Sequence, residues 1–434
     1  MENRFRRAAL LCAMLLSPAA PRAAVEITLW DFFSGGDGLR WRQLVDAFNR
    51  SQGEYHVTGT TLPWGDAFYS RVHQAIAAGE APEVVTYHLS RFPAGLERGD
   101  LRPIPESELR TVGLAYQDFA PALVDLSKGR SAASGEPGAV YGVPLDTHTS
   151  LLYYNKGLLK KAGLLGPDGR PLDLAGLDAF TAALKKLGSD TDQLPLALST
   201  ANDPVTPFRL WYTLLAQQGG SLSAGDQLRL DQIDTLGKNA LQVMADWTRD
   251  GLIPARATRR QALAFFTMGN AALLFGGDGE VPTLVDLRRK GVLAFDYGVM
   301  AFPRLYARPA AFADSHELCI PASAGRPISA EKLKGVLRFI AYVEKHADVW
   351  AGGGHLPAYL PVLSGPALAE LAPVNQYAAQ AASQVSFVPR SPVFGVGGPV
   401  YAAVSDLMVP ALTDQVAVPE ALARFRQQVE KLSE

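Results

Sequence analysis

The stretch VEITLWDFFSGGDGLRWRQLVDAFNRSQGEYHVTGTTLPWGDAFYSRVHQAIAAGEAPEVVTYH, residues 25 to 88, decides the fold. Glu26, Ile27, Thr28, Leu29 and Trp30 alternate polar with apolar, as in a strand with one face on a core. Ser34, Gly35, Gly36 and Asp37 break that strand, and Asp37 offers a carboxylate to cap a helix. In that helix Trp41, Leu44, Val45 and Phe48 recur at i, i+3, i+4 and i+7, so one face is core. The scheme repeats with a strand Tyr55 to Thr61, Asp66 as N-cap, and the stripe Phe68, Val72, Ala75 and Ile76 up to Gly79. Val84, Val85 and Thr86 then form a short strand without alternation, the pattern of a strand covered on both faces. Strand, helix, strand, helix, strand predicts an α/β domain with a mainly parallel sheet flanked by helices. Ligands of such sheets gather at the carboxyl ends of the strands, which brings Asp31 to Asp37, Leu62 to Asp66 and Tyr87 to Arg91 to one edge.

Further along, Tyr141 to Asn155 reads as one extended run, long enough to pass from one sheet to another. The chain then turns helical, with stripes at Leu177, Phe180, Leu184 and Leu187 and at Leu236, Ala240, Val243, Met244 and Trp247. Buried strands are expected at Leu194 to Ser199 and Ala271 to Phe275. Tyr297 to Phe302 and Glu317 to Pro321 make a second extended passage that crosses back. Gly352, Gly353 and Gly354, directly before His355, serve as a helix stop or a hinge. These passages divide the chain into a first lobe of residues 25–145 plus 312–355 and a second of 146–311 plus 356–434, a partition that suits its 434 residues.

Arg4, Arg6 and Arg7 precede the apolar run Ala8 to Leu16, so residues 1–24 read as a secretory signal cut near Ala24. The run is far short of the roughly 20 apolar residues of a spanning helix. Cys12 lies in the signal and lacks the small residue that precedes a lipidated cysteine, which leaves Cys319 as the lone mature thiol, with no disulfide. A formal net charge of -2 without long runs of like charge excludes a nucleic-acid partner.

The P-loop, the nucleophile elbow, H-E-x-x-H and C-x-x-C are all absent, and the seven histidines show no two-histidine helical spacing. Neither a cofactor nor a metal is therefore expected. The loops instead carry acids, histidines and aromatics: Trp30, Asp31, Phe32, Asp37, Trp64, Asp66, Tyr87, His88, Asp146, His148, Asp278, Glu280, Asp314, His316 and His355. Carboxylates accept hydrogen bonds from sugar hydroxyls and aromatic faces pack on the C–H patches of the ring, so this set suits a carbohydrate. Among them His88, Asp146 and Asp278 are expected as direct polar ligands, with Trp30 or Trp64 as the aromatic face. Each also has a plainer reading: Asp37 and Asp66 as caps, Trp30 as core, a loop histidine as merely solvated. Arg91 and Arg390 are expected in surface or interlobe ion pairs.

Val25 to Phe48, the G-x-A-P-E-V-V segment Gly79 to Val85, Tyr141 to Lys156 with Leu-Tyr-Tyr-Asn-Lys, and Phe266 to Phe275, taken together and in this order, resemble the family 1 extracellular solute-binding proteins. These are capture subunits of ABC importers, mostly for sugars. The resemblance implies a two-lobed periplasmic-binding-protein fold with a hinged interlobe cleft, no catalytic turnover, a periplasmic monomer, and permease subunits in the inner membrane as partners. It also implies that Trp30, Asp31, Phe32, Tyr87, His88, Asp146, His148, Gly277 and Asp278 line the cleft. Trp350 to Leu363, with Gly-His-Leu-Pro, is similar to a subgroup that includes glycerol-3-phosphate binders, in which an aromatic residue often stands at the position of His355. Where many sugar binders carry a tryptophan, this chain has Gly276, Gly277, Asp278 and Gly279. An importer subunit for a mono- or oligosaccharide is the leading expectation. A polyol-phosphate binder, an exported glycoside-processing enzyme and a receptor-presenting module are the alternatives.

Overall fold

The computed structural model describes residues 23–129, 137–172, 174–224, 227–323 and 327–434, so the expected secretory signal lies outside them except for its last two positions. Twin sheets organise the chain. In the first, β1 (Val25–Asp31) lies parallel between β2 (Tyr55–Thr61) and β3 (Val84–His88). The helix Gly35–Ser51 buries the stripe Trp41, Leu44, Val45 and Phe48, and Asp66–Ala78 buries Phe68, Val72, Ala75 and Ile76 before Gly79 ends it at φ 71°. Their caps differ from expectation. Ser34 and Gly65 hold the N-cap positions, and Asp37 and Asp66 fall inside the first turns. There their charge still opposes the positive end of the helix dipole.

The second sheet is built on one long strand. The passage expected at Tyr141 to Asn155 divides into β4 (Val143–Pro144) and β5 (Asp146–Asn155), which belong to different sheets although only Leu145 separates them. Every residue of β5 is buried. Beyond it come β6 (Leu194–Ala197), β7 (Ala271–Gly277), β8 (Tyr297–Ala301), β9 (Ala311–Asp314), β10 (His316–Cys319), β11 (Leu356–Pro357) and β12 (Val385–Phe387).

The expectation of mainly parallel pairing needs correction here. β5 runs antiparallel to all four of its neighbours, β7, β8, β9 and β11, and parallel pairing is confined to β6 with β7 and β9 with β12. The first sheet is also mixed, since β10 and β4 add to β3 in antiparallel fashion. Intervening helices make parallel pairing available without imposing it, and a strand paired in segments along its length takes partners from returns of either direction. Phe312, Ala313 and Asp314, placed with the first lobe on sequence grounds, pair with β5 or β12 in the second sheet; the chain changes sheets at Ser315.

A third passage leaves the first lobe after helices Ala330–Lys345 and Ala347–Ala351 and runs through the glycine triplet and His355 into β11. The triplet ends a helix and also makes a close approach: Gly354 has φ 99°, and a Cβ there would lie 2.3 Å from the Asp278 carbonyl oxygen. Three passages thus meet side by side, at residues 144–148, 314–316 and 352–358. One apolar core lies under the first sheet, with Ile27, Trp41, Phe68, Val336 and Ile340. Two others flank β5. No described helix is long and apolar enough to cross a membrane.

Candidate functional site

A cavity of about 280 Å³ opens between the sheets where their strands end. From the first sheet come Phe32, Phe33, Ser34 and Asp37 after β1, Trp64 after β2, His88 at the end of β3 and His316 at the start of β10. From the second come His148 on β5, Gly276 to Glu280 after β7, and Ser199, Asp203, Thr206 and Arg209 around the start of helix Val205–Gln217. Arg259, His355 and apolar residues such as Leu263 and Phe275 also line it.

The floor is a crowded polar knot. The Asp146 carboxylate, wholly buried, accepts hydrogen bonds from His316 backbone N–H (3.0 Å), Trp350 Nε1 (2.6 Å) and, at 2.7 Å, His316 Nδ1. His148 Nδ1 and His355 Nδ1 lie 3.5 and 3.7 Å from the same carboxylate. Burial alone would push the Asp146 carboxyl up, but the surrounding imidazoles of His316, His148 and His355 hold it well below the usual carboxylate range. His148 and His316 stack at 4.3 Å, and Trp350 stacks on His355 at 4.7 Å. Burial together with the neighbouring histidines pushes His148 down to about 3 and His88 well below the ordinary histidine value. His355 goes the other way: burial lowers it, but the carboxylates of Asp37, Asp278 and Asp146 outweigh that and make it a cation. Asp278 accepts from Thr149 N–H (3.1 Å) and Gly279 N–H (3.0 Å), and burial raises its carboxyl.

Several of these groups have unfilled hydrogen-bonding capacity. Both ring nitrogens of His355, Nδ1 of His148, Oδ1 of Asp37 and Nε of Arg209 are buried without an aligned partner. A buried polar atom in that condition costs about 1–3 kcal/mol, so such atoms on a cavity wall are poised for a ligand.

Of the residues expected from sequence, Phe32, Asp37, Trp64, His88, His148, Asp278, Glu280, His316 and His355 come together on this cavity. Asp146 sits behind it, accepting hydrogen bonds on both oxygens. The others take different places. Asp31 accepts from Phe33 N–H and Thr61 Oγ1, and Asp314 from Ser90 and Ser315. Asp66 pairs with Arg91 on an exposed edge, Trp30 lies under Arg71, and Tyr87 points into the first core against Gly95. Arg390 donates to the Lys128 carbonyl instead of an acid. Arg209 and Arg259 were not foreseen. Glu280 neutralises Arg259 at 2.6 Å, and the Arg209 guanidinium lies over the Phe312 ring. Both belong to helices that follow an apolar run; the strand-end argument, applied to Leu194 to Ser199 as it was to residues 25–88, would have found Asp203 to Arg209.

Comparison with known proteins agrees with this architecture. The chain is 23% identical over 372 residues, 83% of its length and 80% of the relative's, to the sn-glycerol-3-phosphate-binding periplasmic protein UgpB of Yersinia enterocolitica. It is likewise 23% identical over 358 residues to UgpB of Rhizobium meliloti, covering 79% of this chain and 76% of that protein. Among solved structures, the GacH receptor of Streptomyces glaucescens, studied unliganded and with acarbose, superposes with a TM-score of 0.77 at 18% identity, covering 95% of this chain and 99% of its own. Maltose-bound MalE3 of T. maritima gives 0.76 at 20% identity, covering 94% and 100%. The fold is therefore the two-lobed binding-protein fold with the cleft between its lobes. The family model for bacterial extracellular solute-binding proteins matches residues 34–348, most of the chain, and this chain belongs to that family.

Proposed function

We propose that the protein is exported to the periplasm, captures a mono- or oligosaccharide in the interlobe cavity as a monomer, and delivers it to the permease subunits of an ABC importer without turning it over. The observation that carries this reading is the cavity wall: Asp37, Asp278 and Glu280 together with Phe32, Phe33 and Trp64, supplied from both sides. Acids suit neutral hydroxyl donors, and the half-exposed Trp64 offers a face for a sugar ring. A ligand held from both lobes favours the closed arrangement only through contacts that the open one lacks. The lobes are read as 25–145 with 315–355 and 146–314 with 356–434, the boundary being moved to Ser315 because β9 pairs with β5 and β12.

A glycerol phosphate is the second reading. It is favoured by Arg209, whose Nε lacks a partner, and by the UgpB relatives. Against it stand the Asp37 carboxylate on the same wall, which would repel a phosphate, and the neutralisation of Arg259 by Glu280. A thermal-shift screen over sugars, polyols and glycerol phosphates decides, since a ligand at about 100 times its Kd adds about 2.7 kcal/mol. Stabilisation by sugars alone is the expected result, and stabilisation by glycerol phosphates alone overturns the reading. Incubation with an oligosaccharide panel tests the absence of turnover.

A further inference from the structure

Asp146 and His148 come from the first interlobe passage, His316 from the second and His355 from the third, yet one donor atom from each falls within 4.8 Å of the others. The three imidazole Nδ1 atoms stand 2.7, 3.5 and 3.7 Å from the Asp146 carboxylate. Donors about 2.0–2.1 Å from a tetrahedral zinc ion sit about 3.3 Å apart, inside the 4.8 Å within which the four donor atoms lie. All four residues are more than nine-tenths buried.

Hydrogen bonding accounts for only part of the cluster. His316 is satisfied by Asp146, whereas His148 Nδ1 and both nitrogens of His355 are buried without an aligned partner. His88, the fourth histidine of the cavity, is committed to the Tyr69 hydroxyl at 2.6 Å and stacked on Phe32, so it stands outside the donor set. The surroundings hold the donors in place: Trp350 donates to Asp146 and stacks on His355, and Phe33 packs against the edge of His316. Outer partners of this kind fix the orientation of metal ligands. Asp37, 3.2 Å from His355, and Asp278, 3.7 Å from it, add negative charge that favours a cation.

We propose that His148, His316, His355 and Asp146 form a binding site for a divalent transition metal of the zinc, copper or nickel class, joining the three passages at the cleft floor. Three imidazoles and one carboxylate select these ions over magnesium and calcium, which require mostly oxygen donors, and binding releases to solvent the proton on any ring nitrogen that becomes a ligand, the His355 proton included. Because the donors come from both sheets, a bound ion stabilises the lobe arrangement in which they converge. Its exposed side faces the cavity, since His148, His316 and His355 all line it.

The inference does not rest on the sugar reading, and its test uses metal alone. Untagged, chelator-treated protein is titrated calorimetrically with Zn²⁺, Cu²⁺, Ni²⁺ and Mg²⁺. One equivalent of each transition ion should bind, and Mg²⁺ should not. His148→Ala and His355→Ala should each weaken Zn²⁺ by about tenfold or more, whereas His56→Ala, on the exposed side of β2, should leave it unchanged. Should the alanine variants fail to fold, electron paramagnetic resonance of the Cu²⁺-loaded wild type replaces them, and coupling to several imidazole nitrogens is the expected signature. Failure of the wild type to bind any of the three ions stoichiometrically overturns the site, as does undiminished binding in both folded alanine variants or a copper spectrum without nitrogen coupling.

Discussion

Asp31 and Asp146 are both buried carboxylates at strand ends beside the interlobe cleft, and their surroundings differ in kind. Asp31 closes a local turn: it accepts from Phe33 two residues on and from Thr61 on the neighbouring strand. Asp146 gathers groups from two other passages, more than 160 residues away in sequence, and several of the imidazoles around it retain spare capacity. A closed set of partners holds a strand end in place. An open one holds several parts of the chain in register and leaves atoms for something else to bind, which is why the knot at the passages, and not the first sheet's edge, is where fold and ligand binding are coupled.

The largest effect that would break this comparison is at Asp146. Its removal leaves Trp350 Nε1 and the His316 backbone N–H buried without acceptors and deprives the His355 cation of one of its carboxylates. Asp146→Ala should therefore lower stability by about 3–5 kcal/mol, against about 1–2 kcal/mol for Asp31→Ala. Urea denaturation of the pair checks this, and equal losses would erase the distinction.

Glu344 offers a contrast of opposite sign. It lies on helix Ala330–Lys345, fully buried, with neither carboxylate oxygen hydrogen-bonded, and burial with Glu317 and Asp146 nearby pushes its carboxyl well above the ordinary value. Above the unfolded glutamate pKa the folded chain holds a proton that the unfolded chain has released. This contribution is fully present below that value and is lost as pH rises through the folded pKa, at up to about 1.4 kcal/mol per pH unit. Glu344→Gln keeps the neutral shape without the proton, so it should change stability little near pH 4 and raise it by about 1–3 kcal/mol at pH 8. Unfolding curves at the two pH values read this directly; a variant less stable than wild type at pH 8 would show that Glu344 is ionised and paired in the native state.

How much of this was legible in the sequence follows the same division. The helix stripes at Trp41 to Phe48 and Phe68 to Ile76, and the covered strand Val84 to Thr86, were readable because periodicity reports burial within one element. Pairing direction around β5 was not, since Tyr141 to Asn155 says that a strand is extended and apolar but nothing about which strands return beside it. The histidine knot was invisible for a related reason. A metal pattern was sought at helical spacing, whereas His148, His316 and His355 are brought together by three separate passages and share no local spacing. Arg209 could have been found, because it follows an apolar strand just as Asp37 and Trp64 do.

On the cavity wall the same distinction separates Asp278 from Asp66. Asp278 is buried on the wall, with His355 Nδ1 3.7 Å away, while the Asp66 side chain is exposed and spent on Arg91. Asp278→Ala should weaken binding of the sugar found in the screen by about 1–3 kcal/mol, and Asp66→Ala should leave affinity unchanged. Calorimetric titration of both variants with that sugar is the check, and a loss confined to Asp66 would move the site to the outer edge of the first sheet.

The smallest expected effect belongs to the two tryptophans that the sequence offered as an aromatic face. Trp64 is 45% exposed at the cavity mouth, close to His88, so its ring can cover one side of a sugar without rearrangement of the core. Trp30 is partly buried on β1 beneath Arg71, and it contributes nothing to the cavity wall. Removing a stacking face while leaving every hydrogen bond in place should cost about 0.5–1.5 kcal/mol, so Trp64→Ala should weaken binding severalfold. Trp30→Ala should cost some stability and leave affinity within a factor of about two. Sugar-induced changes in tryptophan fluorescence give a second reading of the same contrast, because the signal should vanish in the Trp64 variant and persist in the Trp30 variant. If it persists in the Trp64 variant with full affinity, the sugar ring packs instead on Phe32 or Phe33, deeper in the first lobe, and the mouth of the cavity only admits it.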